Sequence, residues 1–245
     1  MRGRRARFVH ELQNALSRER LAAYQARDDD DLAAVITYFW NIALCEALYP
    51  GLAALEVSMR NGIHGALAAH LATDHWYDRR EERHLLLRRE AQQVEEAKQK
   101  IRKTRKPVTP GRVVAALSYG FWTSLLDSGY GNTIWTPKIR SVLMQHAFPY
   151  APDHFHVRSR VHQRFNSIRF LRNRVFHYEP IWSGIYLPNG RQMHLADLHA
   201  DIIDAIGWVN PTLQEAVAAV DRFPAMLQEG RNAIELQIKH HFGLP

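Results

Sequence analysis

The sequence predicts an all-α fold. Apolar residues recur at three- and four-residue spacing through most of the chain, and no stretch alternates apolar and polar long enough for a useful strand. Pro and Gly clusters also separate segments of helical length. The expected architecture is a helical bundle of roughly nine or ten helices in one domain. Residues 1–31 are read as an N-terminal helical extension and 32–245 as the main body.

Residues 7–27 form the first amphipathic helix, with Phe8, Leu12, Leu16 and Leu21 along one side. The run Asp28-Asp29-Asp30-Asp31 marks a helix boundary, because acidic residues complement a helix start and can cap it. Consecutive Asp side chains splay around the chain, so the run is not read as a metal cluster. An apolar helix over 32–48 is expected to stop at Tyr49-Pro50-Gly51, with a second helix over 52–71 and a loop over 73–78. Residues 79–106 read as one long charged helix ending in KQKIRKTRK, either a solvated face or an RNA-facing patch. Thr109 is the expected cap of a helix over 113–126, whose Ser118-Tyr119-Gly120 would let a neighbour come close. Further helices are expected over 137–147, 157–177, 194–209, 212–228 and from Asn232, with a Gly-rich turn over 127–132 and turn signals at Ser183-Gly184, Pro188 and Asn189-Gly190.

Composition narrows the function classes. Lys and Arg number 32 against 25 Asp and Glu, a net charge of +7, and this favours a polyanionic partner such as nucleic acid. The single cysteine, Cys45, excludes a disulfide framework and a Cys-type metal site. His240-His241 reads as a solvated tail rather than a metal site. The basic N-terminus has no apolar segment of the signal-peptide kind behind it, and no apolar run approaches the ~20 residues of a membrane span. A soluble cytoplasmic protein is expected.

The stretch VRSRVHQRFNSIRFLRNRVFHYEPIW, residues 157–182, is the most ordered in the chain. With about 100° per residue from Arg172, Val161, Phe165, Ile168, Leu171, Val175 and Phe176 fall on a core face. His162, Asn166, Arg169, Asn173 and His177 form a continuous polar stripe, and Arg172 lies on its border. Side chains of these types bind phosphate and bases or move protons. Arg followed five residues on by His also occurs at Arg5/His10 and Arg79/His84, so the spacing alone is weak. Only Arg172/His177 has an amide directly after the Arg and a helix with a substantial core face. The structural alternative is a His favoured by the helix C-terminus and an Arg that anchors a loop carboxylate such as Glu179.

LRNRVFHYEPIW resembles the C-terminal motif of the Abi-like (abortive infection) proteins, an Arg-Asn-x-x-x-His helix followed by His-Glu-Pro. WNIALCEALYPGLAALEVSMRNGIHGAL (40–67), RVVAALSYGFWTSLL (112–126) and GWVNP (207–211) resemble that family's other blocks, in the same order. The group is similar to the wider HEPN superfamily of helical bundles, many of them metal-independent ribonucleases. The resemblance implies that Arg172 binds the phosphate and its transition state. It makes Asn173 the orienting polar residue and His177 the general acid or base. The family's second His is Tyr178 here, and Glu179 stands where partner-silenced members carry Tyr. His162, Asn166, Arg169, Tyr178 and Glu179 would support RNA binding. Arg60, Asn61 and His64 form either a second half-site or RNA contact, or a structural polar cluster. Trp182 is either a stacking platform or a core plug.

The expected chemistry is RNA cleavage through attack of the 2′-OH, with neither metal nor cofactor. The expected partners are RNA and a second copy of the chain, since one imidazole does not easily serve as acid and base in one step. The resemblance also admits an antitoxin partner and a role as a toxin in antiviral defence. A non-catalytic RNA-binding or protein-interaction module is the alternative.

Overall fold

The computed structural model describes residues 2–27, 29–78 and 85–244. The regular structure of these residues is twelve α-helices, three short 3-10 turns and one hairpin of two-residue strands, so the fold is all-α. The helices are α1 Arg2–Leu16, α2 Arg18–Ala22, α3 Asp31–Leu71, α4 Arg88–Lys103, α5 Pro110–Ala116 and α6 Tyr119–Ser124. They continue as α7 Arg140–Ala147, α8 Arg158–Phe176, α9 Leu195–Val209, α10 Pro211–Val220, α11 Phe223–Glu229 and α12 Asn232–Phe242. Strands β1 Ile185–Tyr186 and β2 Gln192–Met193 pair antiparallel, Ile185 opposite Met193. The chain packs as two compact units, residues 1–50, 170–200 and 220–245 in one and 51–169 and 201–219 in the other.

Four helix boundaries depart from the sequence expectation. The expected stop at Pro50 is absent, and α3 runs through it for 41 residues. An interior proline costs roughly 3 kcal/mol through a lost hydrogen bond and a ring clash. Leu44 and Leu48 before it and Leu52 and Leu55 after it are all buried, each worth about 1.5–3 kcal/mol. Packing on both sides therefore outweighs the local penalty. The merger makes α3 long and apolar enough to cross a membrane by length and composition, although half of its most apolar window is buried inside the protein.

The other three departures are breaks. At Ser17, φ is +68° and the hydroxyl accepts the Arg20 N–H at 3.2 Å, which ends α1 and starts α2. Leu117 is extended and Ser118 Oγ accepts the Phe121 N–H at 3.3 Å, so the expected 113–126 helix is two helices. Here the serine hydroxyl competes with the helix for backbone partners. The expected 212–228 helix breaks before Phe223, whose N–H is taken by Asp221 at 3.0 Å, with Pro224 in the first turn of α11. Thr109 does occupy the N-cap of α5, but its side chain makes no capping bond.

The charged helix expected over 79–106 is observed only from Arg88; residues 79–84, with the Arg79/His84 pair, lie outside the described residues, as does Asp28. The rest of the acidic run is a helix boundary. Asp29 accepts from both terminal nitrogens of Arg231 at 2.6 and 3.1 Å, and Asp30 accepts the Ala33 N–H at 3.0 Å.

In the unit containing residues 1–50, Val9, Leu32, Ile36 and Leu244 form a buried cluster that Phe8, Ile234 and Ile238 cover. The unit of 51–169 and 201–219 is built on aromatics, with Trp76 against Trp122 at 6.3 Å and Phe148 against Phe165 at 5.4 Å between ring centroids. In this unit Gly62, rather than Gly120, is where close approach requires glycine. A Cβ at Gly62 would sit 2.6 Å from the Ala147 carbonyl oxygen, whereas one at Gly120 would meet only Ser118 Oγ at 3.7 Å.

Candidate functional site

The end of α8 is a two-bond helix cap. The Glu179 N–H reaches back to the Arg174 carbonyl at 2.9 Å and the Tyr178 N–H to the Val175 carbonyl at 3.4 Å. This closure needs a left-handed residue at Tyr178, where φ is +59°. Glycine would take that conformation freely, while a residue with a Cβ is strained there by roughly 1–2 kcal/mol. The strain is held in place from outside the helix. Arg20 Nη2 donates a short hydrogen bond to the Tyr178 carbonyl oxygen, and Tyr24 Oη donates to the same oxygen at 3.5 Å. Backbone strain maintained by surrounding contacts is a recurrent feature of functional sites.

His177 sits at the start of this cap. Its N–H donates to the Asn173 carbonyl at 2.9 Å, its side chain is exposed, and its imidazole makes no hydrogen bond or ion pair among the described residues. Arg172 is half-buried, with its guanidinium carbon 4.3 Å from the centroid of the Phe176 ring. The core face expected along α8 is observed for Val161, Phe165, Ile168, Leu171 and Val175. Phe176 departs from it and is 38% exposed, because the helix ends there and the ring lies against Arg172 and Tyr49.

Glu179 is exposed and lies 3.8 Å from Arg174, whose guanidinium also donates to the Pro180 carbonyl at 3.2 Å. Arg174 thus anchors the loop carboxylate. Trp182 is half-buried, and its indole N–H donates to the Ala23 carbonyl at 3.4 Å. Tyr178 is 76% exposed.

The upstream part of the stripe belongs to the other unit and is half-buried. Asn166 Oδ1 accepts from Arg169 Nε at 3.0 Å and from Nη2 at 2.8 Å. His162 lies 3.7 Å from Asp127, yet burial holds its imidazole below the ordinary value. Also in that unit, His64 Nδ1 accepts the Trp76 indole N–H at 2.9 Å, and burial lowers its pKa as well. Arg60 Nη1 donates to the Ala115 carbonyl at 3.4 Å, and Asn61 is exposed. Lys98, first of the basic run, is buried against Asp78 and Glu95, whereas Lys100, Arg102, Lys103, Arg105 and Lys106 are exposed. Among the described residues no group of three or more His, Cys, Asp or Glu is placed to hold a metal ion.

Two cavities flank the α8 cap. One, of about 310 Å³, is lined by Phe170, Asn173, Arg174, Glu179 and the β1 end of the hairpin. The other, of about 760 Å³, is lined by Tyr24, Tyr38, Asn41, Tyr49, Phe176 and Tyr178 among others. Arg20, Tyr24, Asn41 and Arg174 were not singled out from sequence. Only Asn41 carried a local signal, an amide inside the apolar run Trp40 to Leu44.

No protein-family model, curated protein or solved structure matches the chain. The resemblance of LRNRVFHYEPIW and the accompanying blocks to the Abi-like proteins therefore rests on the residues themselves.

Proposed function

We propose that the protein is a metal-independent endoribonuclease of the abortive-infection type, a toxin acting in phage defence, with Arg172, Asn173 and His177 at its active site. The observation that carries this is the His177 imidazole, exposed on a hydrogen-bonded, strained cap and engaged in no structural bond among the described residues. An imidazole so placed can exchange protons with a substrate, whereas a purely structural histidine is normally tied to a partner.

The chemistry follows from the residue types. One imidazole removes the proton of an RNA 2′-OH, and the 2′-oxygen attacks the adjacent phosphorus. A second imidazole gives a proton to the departing 5′-oxygen. The products are a 2′,3′-cyclic phosphate and a 5′-OH. Arg172 stabilises the charge on the non-bridging oxygens, with its guanidinium pre-oriented by the Phe176 ring. Asn173 orients the phosphate or the imidazole. A second copy of the chain supplies the second His177. The exposed cations between Lys100 and Lys106 suit an RNA backbone.

The test is purified protein on total RNA with EDTA present, beside Arg172→Ala and His177→Ala. Cleavage by the wild type that both variants lose supports the reading. RNA left equally intact by all three refutes it, and RNA retained in a gel shift would then select a non-catalytic RNA-binding module.

A further inference from the structure

The residues on either side of His177, Phe176 and Tyr178, both line the 760 Å³ cavity. That volume lies within the ~300–1,000 Å³ typical of small-molecule sites. Five aromatic rings line it, those of Tyr24, Tyr38, Tyr49, Phe176 and Tyr178. Tyr24 meets Tyr38 edge-on at 5.1 Å, and Tyr49 lies tilted against Phe176 at 5.8 Å between centroids. Four of the large apolar side chains that the chain exposes, Ile42, Tyr49, Phe176 and Tyr178, gather around this one cavity. Clustered exposed apolar surface marks a binding site more often than a solvated face.

One polar group fixes what the cavity can accept. Asn41 is 2% exposed, and its Oδ1 accepts two backbone N–H groups, from Ile181 at 2.7 Å and from Trp182 at 3.1 Å. Those two bonds identify the oxygen, so the amide nitrogen must be the other arm. Asn41 lines the cavity together with Cys45, and the only partner of its amide nitrogen among the described residues is Cys45 Sγ at 3.8 Å, a weak acceptor. A buried N–H donor with so poor a partner is costly, and an occupant that brings an oxygen or ring-nitrogen acceptor would satisfy it. An aliphatic side chain would not. Two guanidiniums, Arg20 and Arg222, and one carboxylate, Glu46, also line it, with Arg222 paired to Glu46 at 2.9 Å.

We infer that this cavity binds an unpaired nucleobase of the RNA strand presented to His177, its faces against the aromatic wall and an acceptor atom on its edge taken by the Asn41 amide. This rests on the ribonuclease reading for the identity of the strand, and it makes single-stranded RNA the substrate class. Planar rings with acceptor edges fit such a wall, and base–aromatic stacking tolerates any base. A paired base has its edge occupied and its faces stacked, so duplex RNA is excluded.

The chain carries its own reporter. Cys45 is the single cysteine and lines the cavity, and burial pushes its thiol up to about 11, so it reacts slowly. The experiment measures the rate of Cys45 modification by N-ethylmaleimide on the full-length wild type. The added probe is a 2′-O-methyl pentauridylate, which lacks the 2′-OH nucleophile and is not consumed. The expected result is a rate lowered about tenfold or more at saturation, with no protection from an abasic pentamer of the same length. An unchanged rate up to millimolar strand overturns the proposal, as does equal protection by the abasic strand. Protection by free UMP or AMP with none from the pentamer overturns the strand as the source of the base. Asn41→Asp keeps an oxygen for Ile181 and Trp182 while removing the donor, and it should lose most of the protection. Cleavage of unmodified RNA is followed in parallel. Cleavage without protection sinks the base site alone, and protection without cleavage sinks the nuclease reading alone.

Discussion

Replacing Tyr178 with glycine should stabilise the protein, although it deletes an aromatic ring. The left-handed backbone at φ +59° costs a residue with a Cβ roughly 1–2 kcal/mol. Glycine returns about 0.5–1 kcal/mol of that through its greater freedom in the unfolded chain. The ring is 76% exposed, so its loss forfeits little packing, and the bonds from Arg20 and Tyr24 go to the backbone carbonyl, which any residue keeps. The net gain is ~0.5–1 kcal/mol, about 1–4 °C in Tm for a chain of this size. Tyr178→Ala is the control, because it removes the ring and retains the strained Cβ. Thermal unfolding followed by circular dichroism should rank Tyr178→Gly above both the alanine variant and the wild type. If alanine stabilises as much as glycine, the strain assigned to this cap is wrong. Both variants lose a ring that lines the cavity, so under the proposed base site both should weaken protection of Cys45 by the strand to a similar degree.

Three further outcomes follow from named contacts. Asn41→Ala leaves the N–H groups of Ile181 and Trp182 without their shared acceptor, and urea unfolding should register a loss of about 2–4 kcal/mol. Gly62→Ala drives a Cβ into the Ala147 carbonyl, where the obstacle is backbone and cannot swing away; a loss of ~1–3 kcal/mol is expected in the same assay. His64 accepts from Trp76 only when neutral, and its folded pKa lies below the ordinary 6.5 through burial. The unfolded chain therefore binds the proton first, and stability falls as pH drops below about 6.5 toward the folded value. His64→Gln should flatten that part of a stability profile measured between pH 7.5 and 5, and an unchanged slope would remove His64 as its source.

Helix content and the shape of α8 were legible because both depend on local periodicity. The apolar face of Val161, Phe165, Ile168 and Leu171 repeats strongly enough to place the helix, and Glu179-Pro180 places its end. What local reasoning missed was decided by competition between terms. Pro50 breaks an isolated helix, but buried leucines on both sides carry α3 through it. Ser118 looked like a small residue easing close packing, and instead its hydroxyl ends one helix and starts the next. The candidate site draws on residues near and far in the sequence. Arg172, Asn173 and His177 lie within two helical turns of one another, so a spacing motif can single them out. Arg20 and Tyr24 reach the cap at Tyr178, and Asn41 the segment just after it at Ile181, from more than a hundred residues away, and no spacing rule connects them.

The central claim is that Arg172 and His177 carry out a transesterification that needs no metal. The most direct measurement is end-group analysis of a single-stranded RNA oligonucleotide incubated with the full chain in EDTA. The account predicts fragments ending in 2′,3′-cyclic phosphate and beginning with 5′-OH. It also predicts rates at least a hundredfold lower for His177→Ala and for Arg172→Ala, in line with the ~10²–10⁴-fold supplied by a positioned acid or base. Fragments bearing 5′-phosphate, or variants that cut as fast as the wild type, would contradict it.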